Sequence, residues 1–179
     1  MRYFYDTEFV EDGTTIDLVS IGIVADDGRE LYAVSSEFDV GKLHRNPWLV
    51  ENVWPYLPTR QHPSGARCRC LHGHLDVDDP VVRPRAQIAR AVRDFLLVGE
   101  GKPELWAWYG AYDHVALCQL WGRMIDLPDG VPMWTNDIKQ EAARLGDPEM
   151  PPQDVKEHHA LADARHNRVR FEFLQTYAG

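Results

Sequence analysis

Apolar and polar positions divide the chain into clear elements. Tyr3, Phe4, Tyr5 and Phe9 make the first nine residues largely aromatic, with no Gly or Pro among them, which predicts an extended strand. A second, mostly apolar run, residues 16–24, predicts a largely buried strand after the turn at residues 11–14. Asp26-Asp27-Gly28 is a strong hairpin signal, because Asp-Gly supplies the positive φ of a tight turn, and a third strand is expected from about Arg29 to Phe38. The opening is therefore read as an antiparallel meander. Six prolines between residues 47 and 84 forbid long regular elements there, although residues 43–54 have room for a short helix. From Arg85 to Leu97 the pattern turns helical, with Ile88, Val92, Phe95 and Leu96 on one side and Arg90 and Arg93 on a solvated other side. Residues 104–109 read as a fourth strand, and the helical crossover lets it lie parallel to the first. A helix follows behind Asp113, then a short extended piece at residues 131–134, a helix over residues 135–145, and a long helix from about His159 to Tyr177.

Length and composition narrow the class without changing this picture. At 179 residues the chain is expected to form a single domain, residues 1–179, with an irregular insertion at about residues 58–80. With 44% hydrophobic and 26% charged residues it is an ordinary globular protein, and no stretch approaches a membrane span. There is no leader-like start, and three cysteines make no disulfide framework, so a cytoplasmic location is expected. A net charge of −9 argues against broad, non-specific nucleic-acid binding, which runs on phosphate neutralisation. It leaves room for a small acidic site that grips substrate through metals.

Three stretches carry chemistry. Strand alternation projects Asp6 and Glu8 to the same face, where two carboxylates ~4 Å apart repel by roughly 4 kcal/mol at an effective dielectric near 20. A divalent cation is the natural compensator, while two acids on a solvated edge strand are the plain alternative. Asp113 sits where a helix begins, and an N-cap worth about 1 kcal/mol explains it equally well. His158 and Asp163 differ by five residues, roughly 140° around an ideal helix, so they converge only if His158 lies in the approach loop and Asp163 in the first turns. The upstream prolines make that placement reasonable.

A fourth pattern is the strict alternation Cys68, Cys70, His72, His74. On a straight strand all four would face one way, which raises a zinc site. Zinc sites within one short segment need a turn between paired ligands, and a straight row cannot wrap a tetrahedron, so an irregular surface insertion is the expected reading.

Taken in order, Asp6-x-Glu8, Tyr112-Asp113 and His158-x₄-Asp163 resemble the three motifs of the DEDDh 3′-to-5′ exonucleases of the ribonuclease T group, on the ribonuclease-H-like fold. The resemblance spans essentially the whole chain. The short length, the opening Tyr-Phe-Tyr-Asp-Thr-Glu-Phe and the stretch Trp-Tyr-Gly-Ala-Tyr-Asp-His-Val-Ala-Leu resemble the small actinobacterial exoribonucleases of this kind. What the resemblance implies is an α/β fold with a mixed five-stranded sheet flanked by helices, and a hydrolase that acts on RNA with a free 3′ end. It implies two Mg²⁺ ions, replaceable by Mn²⁺, on Asp6, Glu8, Asp113 and Asp163, with His158 as general base and nucleoside 5′-monophosphates as product. It also suggests a homodimer. Hard divalent ions and oxygen ligands suit each other, and a histidine near pKa ~6.5 suits proton removal at neutral pH. Tyr109 stands where many of these enzymes carry Asn. Thr7, Phe9, Trp108 and Tyr109 are the candidate substrate contacts, since aromatic faces stack bases at ~1 to 3 kcal/mol each. Core packing is the competing role for Trp106 and Trp108. A single-stranded DNA exonuclease and a catalytically silent nucleic-acid-binding protein are the alternatives.

Overall fold

The computed structural model describes residues 1–61, 72–153 and 157–177. The strands β1 (Arg2–Glu11), β2 (Ile16–Ala25) and β3 (Glu30–Ser35) form the expected antiparallel meander, with Gly28 at φ 85° in the second hairpin. Two short helices follow, α1 (Val40–Arg45) and α2 (Pro47–Asn52). They are separate because Pro47 has no N–H to continue α1, and the Asn46 side chain accepts hydrogen bonds from the Trp48 and Leu49 N–H groups to start α2. The proline-rich stretch then contributes two-residue strands, β4 (Thr59–Arg60), β5 (His74–Leu75) and β6 (Val82–Arg83). Cys68 and Cys70 lie outside the described residues.

The helix α3 (Arg85–Leu97) has the bounds that the periodicity predicts, and Ile88, Val92 and Leu96 are its buried stripe. It leads into β7 (Glu104–Ala107), which pairs parallel to β1, Tyr3 opposite Leu105. Next come α4 (Ala111–Cys118), β8 (Asn136–Asp137), α5 (Ile138–Arg144) and α6 (Ala160–Gln175). The main sheet runs β6-β3-β2-β1-β7-β8, with β4 and β5 as a separate two-stranded ladder. It is mixed and α/β as expected, with six strands rather than five. The additional strand, β6, joins β3 from within a stretch whose prolines had concealed it. The short extended piece expected at residues 131–134 joins no ladder, since Val131 donates to the Pro128 carbonyl in a turn and Pro132 has no N–H, and β8 forms just after it, so the helix expected from residue 135 starts at Ile138.

Both faces of the sheet are covered, so β1 and β2 are buried nearly throughout. Alternation along β1 sends Tyr3 and Tyr5 into the cluster with Ile88, Val92 and Leu96, and Phe4 into the one with Phe171 and Leu174 of α6. A third cluster joins Val34 to Leu43, Leu49 and Trp54 and fixes α1 and α2 beside the far half of β1. Among the described residues no helix is long and apolar enough to cross a membrane.

Candidate active site

The site forms where β1, α4 and α6 meet. Even-numbered residues of β1 face α6, which aims Asp6 and Glu8 at that helix. Immediately after Glu8 the register slips: Glu8 opposes Ser20 while Phe9 opposes Leu18, a bulge whose extra residue is Val19 of β2, beside the point where the side chains of β1 converge. Asp163 projects from the first turn of α6, and carboxylate oxygens of Asp6, Glu8 and Asp163 lie within 4.8 Å of one another. Such closeness requires α6 to approach the sheet at its N-terminus. Gly22, paired with Asp6, permits this: a Cβ there would sit 2.3 Å from the Leu161 nitrogen and 2.4 Å from the Ala160 carbonyl. Ala160 and Ala164, one turn apart at this end of α6, are both fully buried.

Asp113 arrives from the opposite face of the sheet. It does not cap α4; Gly110 holds that position, and Asp113 is the third residue of the helix. The turn at Tyr109, with φ 56°, precedes a helix that starts three residues earlier than an N-cap at Asp113 requires. Buried Asp113 instead accepts from the Thr7 backbone N–H at 2.8 Å and the Thr7 hydroxyl at 2.6 Å. Thr7 was expected to touch substrate. It is buried in the wall of the cavity, and both of its polar hydrogens go to Asp113, which clasps α4 to the strand carrying Asp6 and Glu8.

The adjacent histidines separate as their spacing requires. His158 lies in the turn before α6 at φ 66°, beside Trp48 of α2, whose ring meets it edge to face at 4.7 Å. His159 is the N-cap of α6, its Nδ1 accepting from the Ala162 N–H at 3.4 Å, and its ring stacks on Tyr32 at 4.6 Å.

Four carboxylates share a poorly hydrated space, and their protonation shows the strain. Burial, then Asp113, Glu8 and Asp163, hold Asp6 well above the usual carboxylate range. Glu8 is pushed up to about 8 by burial and then by Asp163 and Asp113. Burial raises Asp113 to about 6 against the lowering effect of its two Thr7 hydrogen bonds, and it raises Asp163 against the hydrogen bond from Gln153. Arg170, two turns beyond Asp163 on α6, eases the negative potential on Asp6 and Asp163. Its guanidinium lies 4.5 Å over the Trp108 ring and donates to Asn167, whose amide in turn holds the Tyr5 carbonyl at 3.0 Å. A buried, all-oxygen set that resists losing its protons is a fit receptacle for hard divalent cations, which would replace those protons.

These groups line a cavity of about 410 Å³. Phe9, Trp108 and Tyr109, all expected near substrate, are in its wall, and Trp106 is not; Trp106 packs on Phe171 at 4.6 Å. Sequence reasoning missed Trp48, Tyr112, Gln153, Glu157 and Arg170. Tyr112 stacks on Phe9 with ring centres 5.9 Å apart, extending the aromatic wall. Of these, Arg170 had a readable signal: seven residues after Asp163 is two helical turns, on the same face.

Sheet order, crossover and the acidic end of β1 define a ribonuclease-H-like α/β fold. Among solved structures, S. pombe Pop2p in its Mg²⁺- and Mn²⁺-bound form superposes with a TM-score of 0.50 at 13% identity, covering 99% of this chain and 84% of that one. Two relatives, each named a 3′-5′ exoribonuclease and drawn from two strains of Mycobacterium tuberculosis, are 47% identical over 175 residues, 97% of this chain and 93% of theirs. The chain belongs to the family of these mycobacterial 3′-5′ exoribonucleases. No protein-family model matches it.

Proposed function

We propose that this protein is a metal-dependent 3′-to-5′ exoribonuclease of the DEDDh kind, acting as one domain and pairing as a homodimer, that releases nucleoside 5′-monophosphates from RNA 3′ ends. The observation that carries the reading is the convergence of Asp6, Glu8 and Asp163 within 4.8 Å, with Asp113 clasped to the same strand through Thr7. The names of the two mycobacterial relatives favour RNA over DNA.

Asp6, Glu8, Asp113 and Asp163 would hold two Mg²⁺ ions, or Mn²⁺ in their place. Bound there, the ions would supply neutralisation of the charge that builds up around the scissile phosphate. The chain's own residues do the rest. His158, in a turn at the cavity wall, takes the proton of the attacking water. Phe9, Tyr112, Trp108 and Tyr109 offer faces for the terminal bases, and Arg170 keeps Trp108 in place.

The test uses end-labelled single-stranded RNA and DNA of equal sequence, with and without Mg²⁺. Expected are mononucleotides released from the 3′ end of the RNA, no hydrolysis in excess EDTA, and recovery with Mg²⁺ or Mn²⁺. Slowing by a 3′-phosphate block is part of the same expectation. Full activity in EDTA, or equal degradation of circular RNA, would overturn the proposal.

A further inference from the structure

A straight strand of alternating histidines cannot surround an ion. The row is not straight. Gly73, between His72 and His74, has φ 80°, and a Cβ on it would meet the Arg60 carbonyl oxygen at 2.8 Å, so this bend belongs to a glycine. His74 is in register with Arg60 in the β4-β5 ladder, while the His72 carbonyl accepts from the Trp54 indole N–H at 2.7 Å. Both ends of the bend are thereby anchored.

A third imidazole comes from a distant element. His44 of α1 packs edge to face on Trp54 at 4.5 Å, and its ring centre lies 5.2 Å from that of His72, the rings tilted by 58°. Its Nε2 is buried and has no hydrogen-bond partner among the described residues. A buried ring nitrogen without a partner is costly and calls for an explanation, an ion or a water among them. His72 and His74 both lie close enough to lower the His44 imidazole pKa, behind the larger effect of burial. Three imidazoles on two separate segments form a borderline-soft nitrogen set, unlike the all-oxygen set of the active site, and such a set selects Zn²⁺ or a similar transition metal over Mg²⁺.

We propose that His44, His72 and His74 form a second metal site, for a zinc-type transition-metal ion, outside the catalytic cavity. As they stand, the three rings do not bring their nitrogens within 4.8 Å of one another, so binding draws the bend at residues 72–74 and the His44 ring together around one ion, and a tetrahedral ion keeps one position for a further ligand. The ion would tie the segment at residues 72–75 to α1. Because α2 follows α1 directly and carries Trp48 into the catalytic wall, the clip also steadies that wall.

The test equilibrates the whole protein with Zn²⁺ or Co²⁺ in millimolar Mg²⁺, which occupies the carboxylates, and then dialyses and counts metal per chain. About one zinc per chain is expected for a site of this kind. In the wild type, Co²⁺ should give the visible absorption of a tetrahedral nitrogen-ligated ion, and Zn²⁺ should raise the melting temperature. His44→Phe, which keeps a ring against Trp54, and His72→Gln should lose both signals, while Asp163→Asn should keep them. Absence of the Co²⁺ bands in the wild type would overturn the proposal whatever the variants do. So would undiminished zinc in His44→Phe or His72→Gln, or loss of zinc in Asp163→Asn. None of these readouts depends on RNA hydrolysis, so the exoribonuclease reading stands or falls separately.

Discussion

His158 and His159 are neighbours with the same side chain and different placements, and the proposed function gives them different duties. The left-handed turn at His158 directs one ring to the cavity wall, and the next residue closes the end of α6. Loss of a general base costs ~10² to 10⁴ in rate, so His158→Ala should lose that much single-turnover activity while its melting temperature stays close to wild type. His159→Ala should show the reverse. Removing an N-cap costs about 1 kcal/mol, to which the lost Tyr32 stacking adds, and catalysis at permissive temperature should persist. An inactive His159→Ala beside an active His158→Ala would show that the third motif is offset by one residue. Asp113 carries a related lesson. Helix-start statistics favour an N-cap for it, yet its carboxylate is spent on Thr7, 106 positions away.

At the scale of elements, the site depends on how closely α6 sits on β2. The N-terminal turn of α6 carries Asp163 and follows His158 directly, so anything that lifts this turn displaces the imidazole and the carboxylate together. Gly22→Ala tests the contact directly, since the added methyl would overlap the backbone of Ala160 and Leu161. Overpacking of this kind typically costs ~1 to 3 kcal/mol. Gly22→Ala should therefore melt lower and lose activity, and raising the divalent-ion concentration should restore part of it by pulling Asp163 back. Unchanged stability and rate would mean that α6 is not held at this distance in solution. Helix α3, by contrast, lines no part of the cavity, and its periodicity alone located both ends.

For the whole molecule, the acidic cluster makes stability depend on pH and on metal. A group whose pKa is raised in the folded state binds more protons folded than unfolded, so stability falls as pH rises between the two values. For Glu8 that window runs from 4.5 to about 8, and for Asp113 from 3.8 to about 6. The metal-free protein should thus lose melting temperature between pH 5 and pH 8. Saturating Mg²⁺ or Mn²⁺ should recover it, most at the alkaline end, and Glu8→Gln should flatten the metal-free slope. Acids held low by ion pairs, such as Glu30 beside Arg165, lose their contribution only as pH falls below about 4.5, so they do not overlap this window. Thermal scans of the metal-free protein at pH 5 and pH 8 check this directly, and a melting temperature that rises with pH would contradict it.

The sequence by itself determined the meander, the Asp-Gly hairpin, the bounds of α3, the parallel return of β7, and the order of the acidic motifs with His158 outside the last helix. Those features follow from periods of 2 and 3.6 residues and from turn chemistry, which act between near neighbours and are therefore written in adjacent letters. The bulge after Glu8, the clasp of Thr7 on Asp113, the placement of Arg170 over Trp108, Trp48 beside His158, and the meeting of His44 with His72 were decided only by the tertiary structure. Each joins residues on different elements, where no local period operates, and each is set by how closely two packed surfaces approach.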